Sequence, residues 1–181
     1  MHRAVALTGT PGTGKSTVAA RLPRRFRVEE VADLAVSRGC GRRRGSAVEV
    51  DLVRLRRLLA RGSDEDRPDL LVGHLSHLLP VRGVIVLRCR PLELLARLRR
   101  ARRGTVADRQ ANYVSEATDV VLDEALASGV PVYEIDTTGR TPADVADEVA
   151  RRLRRVGRPR FGAVDWLADP EVTEHLLDRP R

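Results

Sequence analysis

Residues 3–22, RAVALTGTPGTGKSTVAARL, decide how this chain folds. Arg3 to Thr8 is a short apolar run of strand-forming residues that stops at Gly9, and Ser16 to Arg25 carries the spacing of a helix. The order is strand, glycine loop, helix. Gly9, four further residues, then Gly14, Lys15 and Ser16 satisfy G-x-x-x-x-G-K-[ST], the P-loop pattern. Its glycines let successive N–H groups turn inward on phosphate oxygens, and the helix start adds partial positive charge. In such a loop the lysine reaches the β and γ phosphates and the serine hydroxyl serves Mg2+. Lys15 is therefore the candidate catalytic cation and Ser16 the candidate metal residue, with Gly12, Thr13, Gly14 and Thr17 completing the phosphate cradle.

The rest of the composition sharpens that reading. Of 33 lysines and arginines, Lys15 is the single lysine. A guanidinium is a planar fork on a longer stem and would not fit the ring of amides that a compact ammonium fills. A chain that uses arginine elsewhere thus keeps lysine here. The same fact excludes a guanine-recognition segment of the Asn/Thr-Lys-x-Asp type, which needs a second lysine.

The net charge of +8 favours anionic partners such as nucleotides or RNA, although a G- and C-rich coding sequence also converts lysine to arginine. No apolar run approaches the roughly 20 residues that cross a bilayer. With no apolar segment and cleavage site near the start, the expectation is a cytoplasmic protein without membrane contact. Cys40 and Cys89 lack CxxC spacing and read as free thiols.

Helical patterns recur at Val31 to Arg38, Leu52 to Ala60, Pro91 to Arg102, about Asp108 to Ala127, and Thr141 to Val156. Between them lie strand-length apolar runs at Asp69 to Gly73, Gly83 to Cys89 and Val130 to Asp136. Strands alternating with helices predict an α/β fold in three layers, with a parallel sheet covered on both faces. Thr141, Pro142 and Asp144 mark the start of the last of these helices. The stretch beyond Gly157, with three prolines and the sole Trp166, reads as an extension packed loosely on the domain or a docking tail.

A series of segments in one order carries a further resemblance: GTPGTGKST, VADLA (31–35), VEVD (48–51), GHLSHLLP (73–80), VIVLRCRP (84–91) and VYEIDTTGRTPADVADEV (132–149). In these the chain resembles adenylate kinase isoenzyme 6, the archaeal and nuclear adenylate kinase-like ATPase of small ribosomal subunit assembly. The resemblance runs from Val5 to about Leu153. It implies a nucleoside-monophosphate-kinase-like domain over residues 1–156, a monophosphate segment at about 33–56, a short lid at about 102–112, and an extension at 157–181.

It also implies ATP with Mg2+ as cofactors, AMP as phosphoryl acceptor, ATPase activity, and the universal small-subunit ribosomal protein eleven and rRNA as partners. Residue by residue, it assigns ATP contacts to Arg103, with Arg102 an equally placed competitor, and to Arg140 in the turn after the last strand. His74 matches the histidine of an Asp-x-His motif, where it positions water or phosphate.

One position departs from the pattern. The acid of that motif falls on Val72, where a carboxylate ordinarily steers Mg2+. Asp69 lies too early on the strand, which leaves Asp33 and Asp51 as candidate substitutes. Arg38 and Arg42 to Arg44 are candidate AMP-phosphate contacts. His74 and His77, at i and i+3, have no obvious third metal ligand. An ATP-gated assembly factor with little kinase activity is the alternative that Val72 favours, and a kinase for another small molecule is weakened by missing substrate motifs.

Overall fold

Runs that are apolar on both sides of a strand can be buried only in a sheet with a layer on each face. The computed structural model describes residues 4–45, 47–61, 68–154 and 159–178, and it satisfies those runs in that way. In chain order the elements are β1 (Val5–Thr8), α1 (Lys15–Ala19), β2 (Val28–Glu30), α2 (Val31–Ser37), β3 (Gly41–Arg44), β4 (Ala47–Val50), α3 (Leu52–Arg61) and β5 (Leu70–Val72). There follow β6 (Val84–Arg88), α4 (Pro91–Arg100), α5 (Val106–Ala117), α6 (Val120–Leu126), β7 (Val132–Asp136), α7 (Pro142–Arg154) and α8 (Pro170–Leu177).

A five-stranded sheet runs β2-β5-β1-β6-β7, with every pairing parallel. The strand order turns back across β1, and in such sheets ligands settle beyond the carboxyl ends beside the turning point. Strand pleating splits each apolar run between two cores. Val5, Leu7, Leu70, Val72, Ile85, Leu87, Tyr133 and Ile135 pack with α1 and α7. Ala4, Ala6, Leu71, Val84, Val86 and Val132 pack with α2, α3 and α6 on the other face. The predicted three-layer α/β architecture is the one observed.

Several boundaries differ from expectation for local reasons. The first helix ends at Ala19, because Arg21 and Leu22 tighten to i−3 bonds ahead of Pro23, which disfavours helix at the residue before it. The single helix expected from Asp108 to Ala127 is two, broken at Asp119, which takes a left-handed φ of 58°. Strand β2 and the antiparallel hairpin β3–β4 were not anticipated. Thr141 caps α7 as expected, accepting from the Asp144 amide at 3.2 Å. The predicted end of that helix and the domain boundary at 156–157 lie outside the described residues, as does Ser46 of the basic segment.

Residues 159–178 are not loosely attached. Arg160 exchanges backbone hydrogen bonds with Val132 and Glu134 along the free edge of β7. Val172 is fully buried beside Leu95, Tyr113 and Ala117, and the Tyr113 hydroxyl donates to its carbonyl at 2.8 Å. Among the described residues no helix is long and apolar enough to cross a membrane.

Candidate nucleotide site

The glycine loop after β1 has little room for anything but glycine at two points. A Cβ on Gly9, whose φ is 138°, would sit 2.3 Å from the Leu87 carbonyl oxygen. One on Gly12, at φ 100°, would meet Leu94 and Leu98 of α4 within 3 Å. Strand β6 and α4 therefore form the floor of the loop. Lys15 folds over it, its Nζ donating to the carbonyls of Gly9 at 2.6 Å and Thr10 at 3.0 Å. Burial lowers the Lys15 pKa to about 8, against the pull of Glu116 and Glu30 and with a further push from Arg103.

A cavity of about 830 Å³ opens at the carboxyl edge of the sheet. Of the residues assigned a site role from sequence, Gly12, Thr13, Gly14, Lys15, Ser16, Thr17, His74, Arg103 and Arg140 line it. They arrive from four separate segments. Arg103 lies in the turn between α4 and α5, held by the Thr105–Asp108 capping box at the start of α5. Arg102 is not among the lining residues, so the two neighbouring arginines are distinguished. The Arg140 guanidinium bonds the Asp136 carbonyl at 3.0 Å and pairs with Glu148 at 2.9 Å.

The histidine pair separates into two roles. His77 is buried, with Nδ1 2.9 Å from the Thr8 hydroxyl and Nε2 3.1 Å from Glu124. Burial lowers its pKa, outweighing Glu124, so the neutral ring donates from Nε2 to Glu124 and accepts from Thr8 at Nδ1. His74 opens into the cavity, its pKa lowered by burial and then by Lys15 and His77. Among the described residues no three His, Cys, Asp or Glu side chains cluster to hold a metal.

Several candidates from sequence fall elsewhere. Asp33 pairs with Arg43 at 3.0 Å on the exposed surface, and Asp51 accepts from the Arg54 amide at 2.9 Å. Neither lines the cavity, so neither substitutes for an acid at Val72. Asp69 accepts from the Arg27 amide at 2.9 Å. Arg38 and Arg42 to Arg44 are likewise not among the lining residues; Arg44 pairs instead with Glu49 at 3.1 Å.

Other contributors were missed. Glu30 and Arg97 line the cavity, Arg97 with its guanidinium on Glu93 and Thr137. Glu116, buried, accepts from Thr10 of the loop at 2.5 Å, from Arg88 at 2.9 Å and from the Cys89 amide at 3.0 Å. Position 116 fell inside a predicted helix with no role assigned to it, and nothing local in the sequence announces its partners. Burial pushes the Cys89 thiol up to about 12, which leaves it unreactive.

The family model described as an AAA domain matches residues 5–119. A protein of Thermococcus onnurineus named "Putative adenylate kinase" is 38% identical over 176 residues, covering 96% of this chain and 97% of its own length. The chain belongs to this family. Another member, from Archaeoglobus fulgidus and of the same name, is 41% identical over 174 residues, covering 92% and 93% of the two chains. Among solved structures, a sulfotransferase from Alicyclobacillus acidocaldarius superposes with a TM-score of 0.53 at 12% identity, over 97% of this chain and 90% of that one. That likeness concerns the fold alone.

Proposed function

We propose that this family member is an adenylate kinase, passing the γ-phosphoryl group of ATP to AMP. The observation that carries the reading is the gathering of Lys15, Ser16, His74, Arg97, Arg103 and Arg140 in one cavity of about 830 Å³. Phosphoryl transfer asks a protein mainly to align two polyphosphates and neutralise charge that spreads over the moving group. Cations around a glycine loop are suited to that work, and the names of the relatives agree with it.

In this reading the loop amides of Gly12 to Thr17 bind the ATP phosphates and Lys15 spans β and γ. Arg103 closes over the phosphates from its turn, and Arg140 flanks the adenine. Neutral His74 orients an acceptor oxygen or a water, the latter giving ATPase activity. Ala47, Val48 and Val50 form an apolar flank suited to the acceptor's base. The hydroxyl of Ser16 fits an oxygen-preferring Mg2+, which supplies charge neutralisation when bound.

The motif series supports a finer assignment to the isoenzyme 6 type, with ribosomal protein eleven and rRNA as partners in small-subunit assembly. A second reading, an ATP-gated assembly factor with little transfer activity, is favoured by the apolar Val72 at the end of β5. A coupled assay of ADP formation from ATP, Mg2+ and each nucleoside monophosphate, with Lys15→Ala as control, separates the two. AMP-dependent turnover lost in the variant supports the kinase. Hydrolysis without AMP dependence, or binding alone, rejects it in favour of the assembly factor.

A further inference from the structure

Val72 is fully buried at the carboxyl end of β5, and its side chain offers no oxygen to a cation. Its neighbour across the ladder does. Strands β2 and β5 are parallel with Glu30 in register with Val72, so the two Cα atoms are about 4.8 Å apart and both side chains leave the sheet on one face. That face is settled by packing: Val28, two residues before Glu30, joins Leu7, Leu70 and Val72 against Val18 of α1. Ser16 stands in the first turn of the same helix. Glu30 and Ser16 both line the cavity, as do Lys15 and Val72.

Other acidic groups nearby are committed. Asp108 closes the capping box of α5, with its carboxylate on the Thr105 amide and hydroxyl at 2.8 Å each. Glu116 is saturated by Thr10, Arg88 and the Cys89 amide. Glu30 precedes α2 in the N-cap position, yet its side chain makes no capping bond there. Its negative charge is felt at Lys15, where it favours the ammonium.

We propose that Glu30 supplies, from the adjacent strand β2, the carboxylate that position 72 lacks, and that with Ser16 it holds the divalent cation accompanying the nucleotide phosphates. A hydroxyl and one carboxylate, with waters and phosphate oxygens completing the shell, suit a hard cation such as Mg2+. Glu30 stands one strand over from Val72 and in register with it. The inference rests on the nucleotide-binding reading above.

The test uses the full chain, a non-hydrolysable ATP analogue, and Mn2+ as the cation, read by electron paramagnetic resonance, for the wild type, Glu30→Gln and Glu30→Asp. Analogue affinity without metal is measured alongside by calorimetry, and circular dichroism checks that each variant is folded. The expected result is Mn2+ affinity of the ternary complex weakened tenfold or more in Glu30→Gln and partly retained in Glu30→Asp. Metal-free analogue affinity stays equal or improves, because a negative charge beside the phosphates is gone. Mn2+ affinity within twofold of wild type in Glu30→Gln, with analogue still bound, overturns this inference alone. Failure of the wild type to bind the analogue at all overturns it together with the nucleotide reading.

Discussion

Lys15 carries its charge in a place that resists it. Burial lowers its pKa from 10.5 to about 8, so between those values the unfolded chain binds the proton more tightly than the folded one. Stability from this group therefore rises as pH climbs from about 8 toward 10.5. Phosphate reverses the preference, because an adjacent anion favours the ammonium. At pH 9, binding of an ATP analogue is expected to take up a proton, seen as a calorimetric enthalpy that changes with the buffer's ionisation enthalpy. Lys15→Met abolishes that dependence and the tight binding with it; a wild type without proton uptake counters the assignment. A second expectation separates two adjacent arginines: Arg103→Ala weakens analogue binding tenfold or more, whereas Arg102→Ala changes it less than threefold, by the same titration. Lys15 was legible because its motif is contiguous. Glu30 and Arg97 were not, because their place in the cavity depends on strand register and on helix packing that no short window encodes.

Helix α5 joins the loop after β1 to the rest of the molecule through one carboxylate. Glu116 touches Thr10 on one side and Arg88 and Cys89 of β6 and its exit on the other. Arg88, itself buried, also pairs with Asp119 and with Glu134. Burial opposes its charge, but Glu116 and Asp119 outweigh that and raise its pKa. Such a network adds little net stability over an apolar core, yet removing one member strands the others. Glu116→Ala is expected to cost about 3 kcal/mol. In a chain of this size that lowers the thermal midpoint by roughly 6–12 °C, measurable by scanning calorimetry. Analogue affinity falls too, since Thr10 loses its anchor; an unchanged midpoint would argue that the network is dispensable. At this scale the apolar strands β1, β5, β6 and β7 were legible from continuous hydrophobic runs. Strand β2 holds two glutamates in three residues, and the hairpin β3–β4 is charged and mostly exposed, so neither shows the pattern of a buried strand.

Over the whole molecule, residues 159–178 act as a strap across the face formed by α4, α5 and the edge of β7. Arg90, at the start of α4, donates to Asp169 at 2.7 Å and 3.2 Å and to Glu171 at 2.5 Å. Those pairs are partly exposed and contribute modestly. The stronger attachment is apolar, with Val172 fully buried and Trp166 packed against the same cluster; the Trp166 indole also donates to Glu116 at 3.3 Å. The strap thus reaches the same carboxylate that holds Thr10 of the nucleotide loop. Val172→Ala is expected to cost about 2 kcal/mol through lost burial and the gap it leaves. Tyr113→Phe, which removes the hydroxyl donor to the Val172 carbonyl, is expected to cost about 1 kcal/mol. The double variant should cost less than the sum, because both changes loosen one contact. Hydrogen exchange places the effect: amides of α8 and of α5 near Glu116 lose protection together, while those of α2 and α3 across the sheet do not. Full additivity would show that the Val172 side chain and the Tyr113 hydroxyl act independently, and loss confined to α8 would show a tail that docks without supporting the nucleotide loop.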